Sequence, residues 1–418
     1  MPEWFASESP RNRPPQRRRL GIPVRWDVAN RTSPVITRQF SLILALTLLA
    51  FTIEYVLRPV IPLIVVARGA DAAMVGLIAA VHSLPSVIFR PLIGRVVDRG
   101  RHRRVLESGA VLAAISPLGL LVPGLAWLVP ARFAQGSAWA LNVVSTHTLM
   151  AKRAPPNRRG EAAGYYEAMP AVAALIGPTV GVTLYLGVGV IGPVVVATSL
   201  GLIAVVITTR VQIPFDSASA KAGAQAPPEY TSVRWRLLEP SALPATLMIT
   251  TFMMAFSLFG VFPPVFAVAV NAPISTLVPY FLTYGTVSVL SQLLAGRVSD
   301  RLGRGLAIRI GCGIATVGLS MAAIGSTMLS FGLGGAAYAI GMAFVISATG
   351  AMTIDRAPAG RIGSAMATYS LGFQLATGVG SLLWGALIAT AGFVPAFLVA
   401  IGFQAATFGA SLRYATRP

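Results

Sequence analysis

Glu54 and Arg58 place a carboxylate and a guanidinium four residues apart in the middle of a long apolar run. An ionised acid in such surroundings is costly, so it has to be paired, protonated or in contact with water. Arg58 lies one helical turn on and can hold Glu54 in an intrahelical ion pair. The alternative is that Glu54 exchanges a proton and that Arg58 or Arg132 tunes its charge. Arg132 keeps its own proton, so it either biases a nearby acid or binds an anionic group.

Other reactive side chains are few. The three histidines form no metal-ligand pair at helical spacing, and the single cysteine, Cys312, excludes an internal disulfide. The only lysines, Lys152 and Lys221, lack the Gly-Lys-Ser/Thr context of a Walker A loop. The longest polar stretches are too short to fold a catalytic domain. We therefore predict no metal, no cofactor and no enzymatic activity.

The composition indicates what holds these residues in place. Hydrophobic residues make up 55% of the 418 and charged residues 11%, too few charges for a soluble surface. The apolar residues form continuous runs of about 20, the length of a helix across a bilayer, rather than the alternating segments of a barrel. We predict an all-α membrane protein with twelve transmembrane helices. Their predicted bounds are 39–67, 72–93, 105–123, 125–150, 162–187, 189–209, 244–268, 275–295, 306–326, 328–350, 362–390 and 393–412.

The net charge of +19 follows the membrane topology. With twelve helices, 29 of the 33 Lys and Arg fall in loops or tails on one side, and only Arg68 lies on the other. The positive-inside rule puts the charge-rich side, and both termini, in the cytoplasm. The sequence thus predicts a multi-pass protein of the inner or plasma membrane, surrounded by the lipid bilayer and without a nucleic-acid partner.

A short repeat indicates two similar halves. Residues 94–99 (GRVVDR) return as 296–301 (GRVSDR), with five of six positions identical. Two similar membrane halves around a central cavity are typical of a transporter that alternates between two faces. The predicted domains are a disordered basic tail at 1–37, a six-helix bundle at 38–209, a cytoplasmic linker at 210–243, a second six-helix bundle at 244–412 and a tail at 413–418.

These motifs resemble those of the major facilitator superfamily over residues 38–412. The repeated segments are similar to its signature loop between helices two and three and to the second-half copy of that loop. Residues 128–136 (LVPARFAQG) resemble its helix-four motif, with Arg132 as the motif's arginine. Residues 58–62 (RPVIP) resemble the helix-one pattern of its drug–proton antiporters. The resemblance implies two pseudo-symmetric six-helix bundles around a midplane cavity.

Residues 177–181 (GPTVG) are similar to the helix-five motif of the family's antiporters. Gly177, Pro178 and Gly181 carry this motif, and the proline is expected to bend the helix because it interrupts the hydrogen-bond ladder. The resemblance implies that the bend resists leakage. The alternative is a packing kink without a role in coupling.

The resemblance also implies that the repeated loops form a conformational latch. Its residues are Gly94, Asp98, Arg99, Gly296, Asp300 and Arg301. Asp98 would face the start of helix eleven near Ile362 and Gly363, and Asp300 the start of helix five near Gly160, each acid meeting a positive helix end. The loop glycines would allow close backbone approach. The first copy reads DRGRHR where the family usually has DRxGR, so Gly100 is expected to replace the family's glycine. The alternative is a solvated turn with positive-inside arginines.

Polar and aromatic residues at membrane depth are the candidates for lining a substrate cavity, although interhelical packing explains them equally well. They are Tyr55, His82, Gln135, Trp139, Tyr284, Gln292, Tyr369 and Gln374. For His82, a role as a polar residue satisfied within a helix interface is favoured over proton relay.

The sequence and the resemblance together favour a proton-coupled exporter of small amphipathic molecules that works by antiport. Glu54 would be the proton site and Arg58 and Arg132 its electrostatic partners. The predicted partners are a small-molecule substrate and protons, with the protein acting as a monomer. The open alternative is a metabolite, sugar or organic-acid uniporter or symporter, in which Glu54 and Arg58 are structural and Arg132 binds an anion.

Overall fold

A computed structural model describes residues 35–155, 158–213, 238–358 and 361–414. The predicted tails at 1–37 and 413–418 and the linker at 210–243 fall mostly outside these residues, so the predicted domain borders stay predictions. Within the described residues the chain is helical, as the composition predicts.

The first half of the chain forms six long helices. Their bounds are α1 Arg38–Ala67, α2 Ala72–Val96, α3 His102–Ile115, α4 Leu128–Arg153, α5 Arg159–Val188 and α6 Ile191–Arg210. A π turn, Val97–Arg101, joins α2 to α3, and a 3₁₀ turn, Ser116–Leu121, extends α3. Thr37 and Asp71 cap α1 and α2 by accepting hydrogen bonds from backbone amides of the first turn.

The second half begins with a broken span. After a 3₁₀ turn at Pro240–Ala242, the chain forms α7 Leu243–Met253, α8 Phe256–Gly260 and α9 Pro263–Ala269, where the sequence predicted one continuous helix at 244–268. Pro263 and Pro264 explain the last break, because proline starts a helix but cannot continue the preceding hydrogen-bond ladder. A 3₁₀ turn at Ile274–Thr276 precedes the remaining helices. These are α10 Leu277–Leu302, α11 Arg304–Ile324, α12 Met328–Arg356, α13 Ile362–Ala391 and α14 Phe393–Tyr414.

Ten of these segments are long and apolar enough to cross a bilayer. The other two of the predicted twelve spans are α4, which has 26 residues, and the broken series α7–α9. Small residues let the helices of each bundle pack closely. In the first bundle Gly201 lies against the backbone of Ala114, and in the second Gly318 lies against the carbonyl of Gly334. The predicted all-α membrane fold with two six-helix bundles is confirmed.

Both described ends of the chain lie at one end of the bundle. Gln39 donates a hydrogen bond to the Arg210 carbonyl at the start of α1, and Arg356 contacts the Tyr414 carbonyl at the end of α14. We call this the terminal end, and we call the opposite end, which holds residues 68–71, the far end. The connections at 97–101 and 302–304 lie at the terminal end.

The two bundles meet closely in the far half of the molecule. A side chain on Gly76 of α2 would overlap the Ser381 carbonyl of α13, and a Cβ on Gly385 would lie 2.7 Å from the Ala72 carbonyl oxygen. On the other side of the interface, a Cβ on Gly285 of α10 would lie 3.1 Å from the Cα of Leu175 in α5. Because backbones touch here, the far end is sealed in this conformation.

Candidate functional site

A cavity of about 70 Å³ lies at mid-depth between the two bundles. The first bundle contributes α1, α2 and α4 to its walls, and the second contributes α8 and α13. Its lining residues are Glu54, Arg58, Ile61, Pro62, Val75, Ala79, His82, Ser83, Arg132, Trp139, Phe256, Val261, Gln374 and Thr377. The cavity is therefore mixed in character, with half of its lining residues polar or ionisable, and its charged groups all belong to the first bundle.

Glu54 is buried, with 7% of its surface exposed, and basic side chains hold both of its oxygens. Oε1 lies 3.4 Å from Nη2 of Arg58, and Oε2 lies 3.0 Å from Nε2 of His82 on α2. The His82 contact is short enough for an ion pair when the ring is protonated, but it is not aligned as a hydrogen bond. Two helices thus converge on one carboxylate, and the protonation of Glu54 and His82 is linked.

Arg58 has aromatic partners as well as Glu54. Its guanidinium carbon lies 4.6 Å from the centroid of the Tyr55 ring and 5.8 Å from that of Phe256 on α8. Cation–π contacts stabilise a guanidinium at such distances. Because one ring belongs to each bundle, Arg58 bridges the bundles at the cavity wall.

Arg132 is buried, with 5% of its surface exposed, and it makes a single hydrogen bond, from Nη1 to Oε1 of Gln135 at 2.7 Å. Its buried Nε has no hydrogen-bond partner among the described residues. Glu54 faces the same cavity, yet among the described residues no carboxylate forms an ion pair with Arg132. Of the two predicted partners of Glu54, Arg58 contacts the carboxylate and Arg132 forms no ion pair with it. The contact with His82 was not predicted.

The helix-five motif packs against the segment that carries Glu54. A Cβ on Gly177 would lie 2.5 Å from the Cβ of Tyr55, and one on Gly181 would overlap the Val56 carbonyl oxygen. Pro178 lies within the single helix α5, between these two contacts. The glycines let α5 approach the backbone of α1 next to Glu54. A packing role was the alternative interpretation of this motif, but the contact with the segment around Glu54 was not predicted.

The predicted cavity residues divide into two groups. His82, Trp139 and Gln374 line the central cavity, and Gln135 lines a smaller cavity beside it, whose other residues include Glu54 and Trp139. Tyr55 contacts Arg58 from the same helix.

The remaining predicted cavity residues lie elsewhere. Tyr369 is buried between α12 and α13, where its hydroxyl lies 2.9 Å from Thr349 Oγ1. Gln292 is exposed on α10 and lines neither cavity. Tyr284 is partly buried on α10 with a hydroxyl that lacks a hydrogen-bond partner.

The structure describes the predicted latch only in part. It does not describe the side chains of Asp98, Arg99, Asp300 and Ile362, or the surroundings of Gly160 and Gly363. At Gly94 an added Cβ would meet no described atom within 4 Å, so the predicted close backbone approach stays a prediction. At Gly296 the nearest atom would be Ser347 Oγ at 3.6 Å. Arg301 is exposed at the terminal end.

The two connections at 97–101 and 302–304 each contain a glycine with a positive φ angle at the turn. These are Gly100 with φ +79° and Gly303 with φ +84°, a conformation that other residues rarely adopt. Gly100 thus occupies the turn although it comes one residue earlier than its counterpart.

The sequence matches the family model described as Major Facilitator Superfamily at residues 43–337 and 273–418. The chain is 22% identical over 352 residues to the multi-drug resistance efflux pump PmrA of Streptococcus pneumoniae, covering 81% of this chain and 86% of the pump. It is 28% identical over 140 residues to the staphylopine export protein of Staphylococcus aureus, covering 34% of this chain and 35% of the exporter. This chain therefore spans about a third of that exporter's length.

Solved structures share the fold at low sequence identity. The D-xylose-proton symporter aligns with a TM-score of 0.74 at 15% identity, covering 90% of this chain and 97% of the symporter. The nucleoside transporter NupG, solved as a D323A mutant, aligns with a TM-score of 0.67 at 14% identity, covering 90% and 99%. At such identities the likeness concerns the fold alone.

Proposed function

Since the chain belongs to the Major Facilitator Superfamily, it is a secondary transporter, and we propose that it exports small amphipathic molecules in exchange for protons. The observation that carries this proposal is the position of Glu54. Its carboxylate is buried on a cavity that both bundles line, where substrate and proton can compete for it. Intramembrane acids in such places mark ion and proton pathways.

The groups around Glu54 support proton exchange rather than a permanently fixed charge. Arg58 from α1 and His82 from α2 contact the carboxylate, and Arg132 from α4 faces it across the cavity. The imidazole of His82 can both accept and release a proton, so Glu54 and His82 together offer a two-site route for one proton. The two arginines stabilise the negative charge that a departing proton leaves on Glu54.

Alternating access supplies the rest of the cycle. In the described conformation α2 and α13 seal the far end, so the substrate would enter from the terminal end and leave after the bundles rock apart at the far end. The distribution of Lys and Arg supports a cytoplasmic terminal end in the inner or plasma membrane, which makes this direction export. The names of both similar proteins, an efflux pump and an export protein, support the same direction. The two bundles enclose the cavity within one chain, which supports action as a monomer.

One observation favours a second function, that of a uniporter or symporter. Both oxygens of Glu54 are already held by basic groups, as they would be in a structural ion pair. In that case Glu54 fixes the orientation of α1 against α2, and no proton moves against the substrate.

The test uses proteoliposomes with a pH-sensitive dye in the lumen and a panel of lipophilic cations, zwitterions, sugars and organic acids. We expect a compound to drive protons out of the lumen, and Glu54→Gln to abolish that movement. Glu107→Gln is the matched control, because Glu107 is an exposed acid that pairs with Arg103 one turn away on α3. Unaltered proton movement in Glu54→Gln would overturn the assignment of Glu54. Substrate flux without any proton movement would support a uniporter, and protons that move in the same direction as the substrate would support a symporter.

A further inference from the structure

The guanidinium of Arg132 has too few partners for a buried charge. It donates one hydrogen bond to the neutral amide of Gln135, its Nε has no partner, and no carboxylate among the described residues pairs with it. An uncompensated charge inside a membrane protein is costly and is typical of a functional position. Because Arg132 lines the cavity, a bound molecule can supply the missing anion.

Glu54 on the same cavity is suited to the opposite charge. Its contact with Arg58, at 3.4 Å, is long for a charge-assisted hydrogen bond, and Arg58 also lies over the rings of Tyr55 and Phe256. Arg58 can therefore yield Oε1 to an incoming ammonium while it keeps favourable contacts with two aromatic faces. His82 holds the other oxygen at 3.0 Å.

From the guanidinium of Arg132, which lacks a carboxylate partner among the described residues, and from the long, displaceable contact between Arg58 and Glu54, and resting on the proton-coupled export described above, we propose that the transported molecule is an amphipathic zwitterion. Its carboxylate pairs with Arg132, its ammonium pairs with Glu54, and its apolar body lies against Trp139 and Phe256, which line the same cavity. Because Glu54 and Arg132 face one cavity without forming an ion pair, a molecule that carries both complementary charges can bridge them.

The net charge of the cavity wall favours a zwitterion over a simple cation or a simple anion as the substrate. With Glu54 ionised and His82 neutral, the cavity wall carries two guanidiniums and one carboxylate, so a simple cation meets an excess of positive charge. A simple anion would bind more tightly when Glu54 is protonated, and it would then move together with protons. The ammonium of a zwitterion competes with the proton for Glu54, which is the competition that antiport requires.

The size of the cavity determines the order in which the charged head group and the apolar body of the substrate bind. About 70 Å³ is well below the roughly 300–1,000 Å³ of pockets that enclose drug-sized ligands. The charged head group can fit the described conformation, whereas an apolar body requires the bundles to separate at the terminal end. Pairing of the head group with Glu54 and Arg132 therefore precedes burial of the body.

The experiment compares three probes that share a phenylalkyl body: 4-phenylbutylamine, 4-phenylbutyrate and the zwitterion 2-amino-4-phenylbutyrate. Binding to the purified full chain in detergent is measured by isothermal titration calorimetry. We expect the zwitterion to bind at least about tenfold more tightly than either singly charged probe, the effect of one charge-assisted contact. Arg132→Gln should reduce its affinity to that of the amine, and Glu54→Gln to that of the acid.

Controls keep the result interpretable. Arg309→Gln removes a guanidinium that does not line the cavity and whose Nε donates to the Gly305 carbonyl of its own helix, so it should leave all three affinities unchanged. Arg132→Lys keeps the charge and should retain part of the preference, which separates loss of charge from loss of fold. The thermal unfolding temperature of each variant reports folding directly.

Two outcomes overturn the zwitterion. One is equal binding, or an equal lack of binding, for the three probes. The other is proton movement that the amine drives as strongly as the zwitterion in proteoliposomes of the unmodified protein, which would leave proton-coupled export standing. A zwitterion preference that depends on both residues, without any proton movement, would instead support the substrate class and remove the coupling.

Discussion

The hydroxyl of Tyr166 lies 3.0 Å from Oγ1 of Thr146, and this bond between α4 and α5 has a counterpart in the other bundle. There Tyr369 lies 2.9 Å from Oγ1 of Thr349, again at a sequence separation of 20, and the bond joins α12 to α13. The duplication is thus visible in single hydrogen bonds between buried side chains. In each bundle the bond holds a helix that contacts the other bundle, α5 in the first and α13 in the second.

Removing either bond should destabilise the protein to a similar degree. We expect Tyr166→Phe and Tyr369→Phe each to reduce the free energy of unfolding by about 1 kcal/mol or slightly less, the typical value of a hydrogen bond between helices in a membrane. Thermal unfolding in detergent measures this change. Tyr165→Phe is the control, because that hydroxyl is exposed and makes only a long 3.4 Å contact with Glu161. A control that loses as much stability as the buried pair would show that the bonds contribute nothing.

Gly181 should tolerate no side chain. A methyl group there would overlap the Val56 carbonyl oxygen, so Gly181→Ala should destabilise the protein by about 1–3 kcal/mol, as overpacking does, and should impair transport. Gly187→Ala lies on the same helix with nothing within 4 Å of the added Cβ, and it should be neutral or slightly stabilising. Unfolding temperatures and transport rates of the two variants provide the comparison. Equal behaviour would refute a tight contact between α1 and α5.

A disulfide across the bundle interface should arrest the transport cycle. A Cβ on Gly378 would lie 3.1 Å from the Cβ of Ser83, near the separation of about 3.5–4.5 Å that disulfides require. In a Cys312→Ala background, Ser83→Cys with Gly378→Cys should cross-link α2 to α13 on oxidation and stop transport, and a reductant should restore it. Each single cysteine variant controls for the substitutions themselves. Transport that persists in fully cross-linked protein would exclude separation of the bundles at this depth.

Arg68 should stabilise the far end through backbone contacts. Its guanidinium donates hydrogen bonds to the carbonyls of Gly124 at 2.8 Å, Leu120 at 2.9 Å and Val122 at 3.0 Å. We expect Arg68→Ala to reduce the free energy of unfolding by about 1–2 kcal/mol, since three partly exposed carbonyls lose a charged donor to which water is only a partial substitute. Arg68→Lys should recover a fraction of this, because a single ammonium cannot span all three oxygens. Thermal unfolding of the unmodified protein, Arg68→Ala and Arg68→Lys tests both expectations.

The sequence predicted the helices well because bilayer thickness imposes a length on every apolar run. Helix α5 was expected at 162–187 and extends over Arg159–Val188. The exception is the span at 244–268, where the runs of apolar residues conceal breaks after Met253 and Gly260. Pro263 and Pro264 signalled the second break, whereas no proline or glycine at the first break distinguished it from a continuous helix.

The site was predicted only in part because membrane helices are apolar on nearly every side. Glu54 and Arg58 were found together since they share a helix, but His82 approaches Glu54 from α2, and its contact depends on how α2 is rotated. Hydrophobic periodicity fixes that rotation in a soluble protein, where one face meets water, and provides little guidance in lipid. Because the sequence does not determine how each helix is rotated, it also did not show that Tyr369, although aromatic and at the right depth, bonds Thr349 away from the cavity.

The far seal at Gly76, Ser381 and Gly385 consists of peptide groups rather than recognition side chains. The barrier against leakage and the choice of cargo are therefore encoded at separate positions. Exchanging Trp139 or Phe256 would alter which molecules are accepted and leave the seal as it is. A fold arranged in this way can acquire new cargo preferences by a few substitutions, without rebuilding the barrier that keeps the membrane tight.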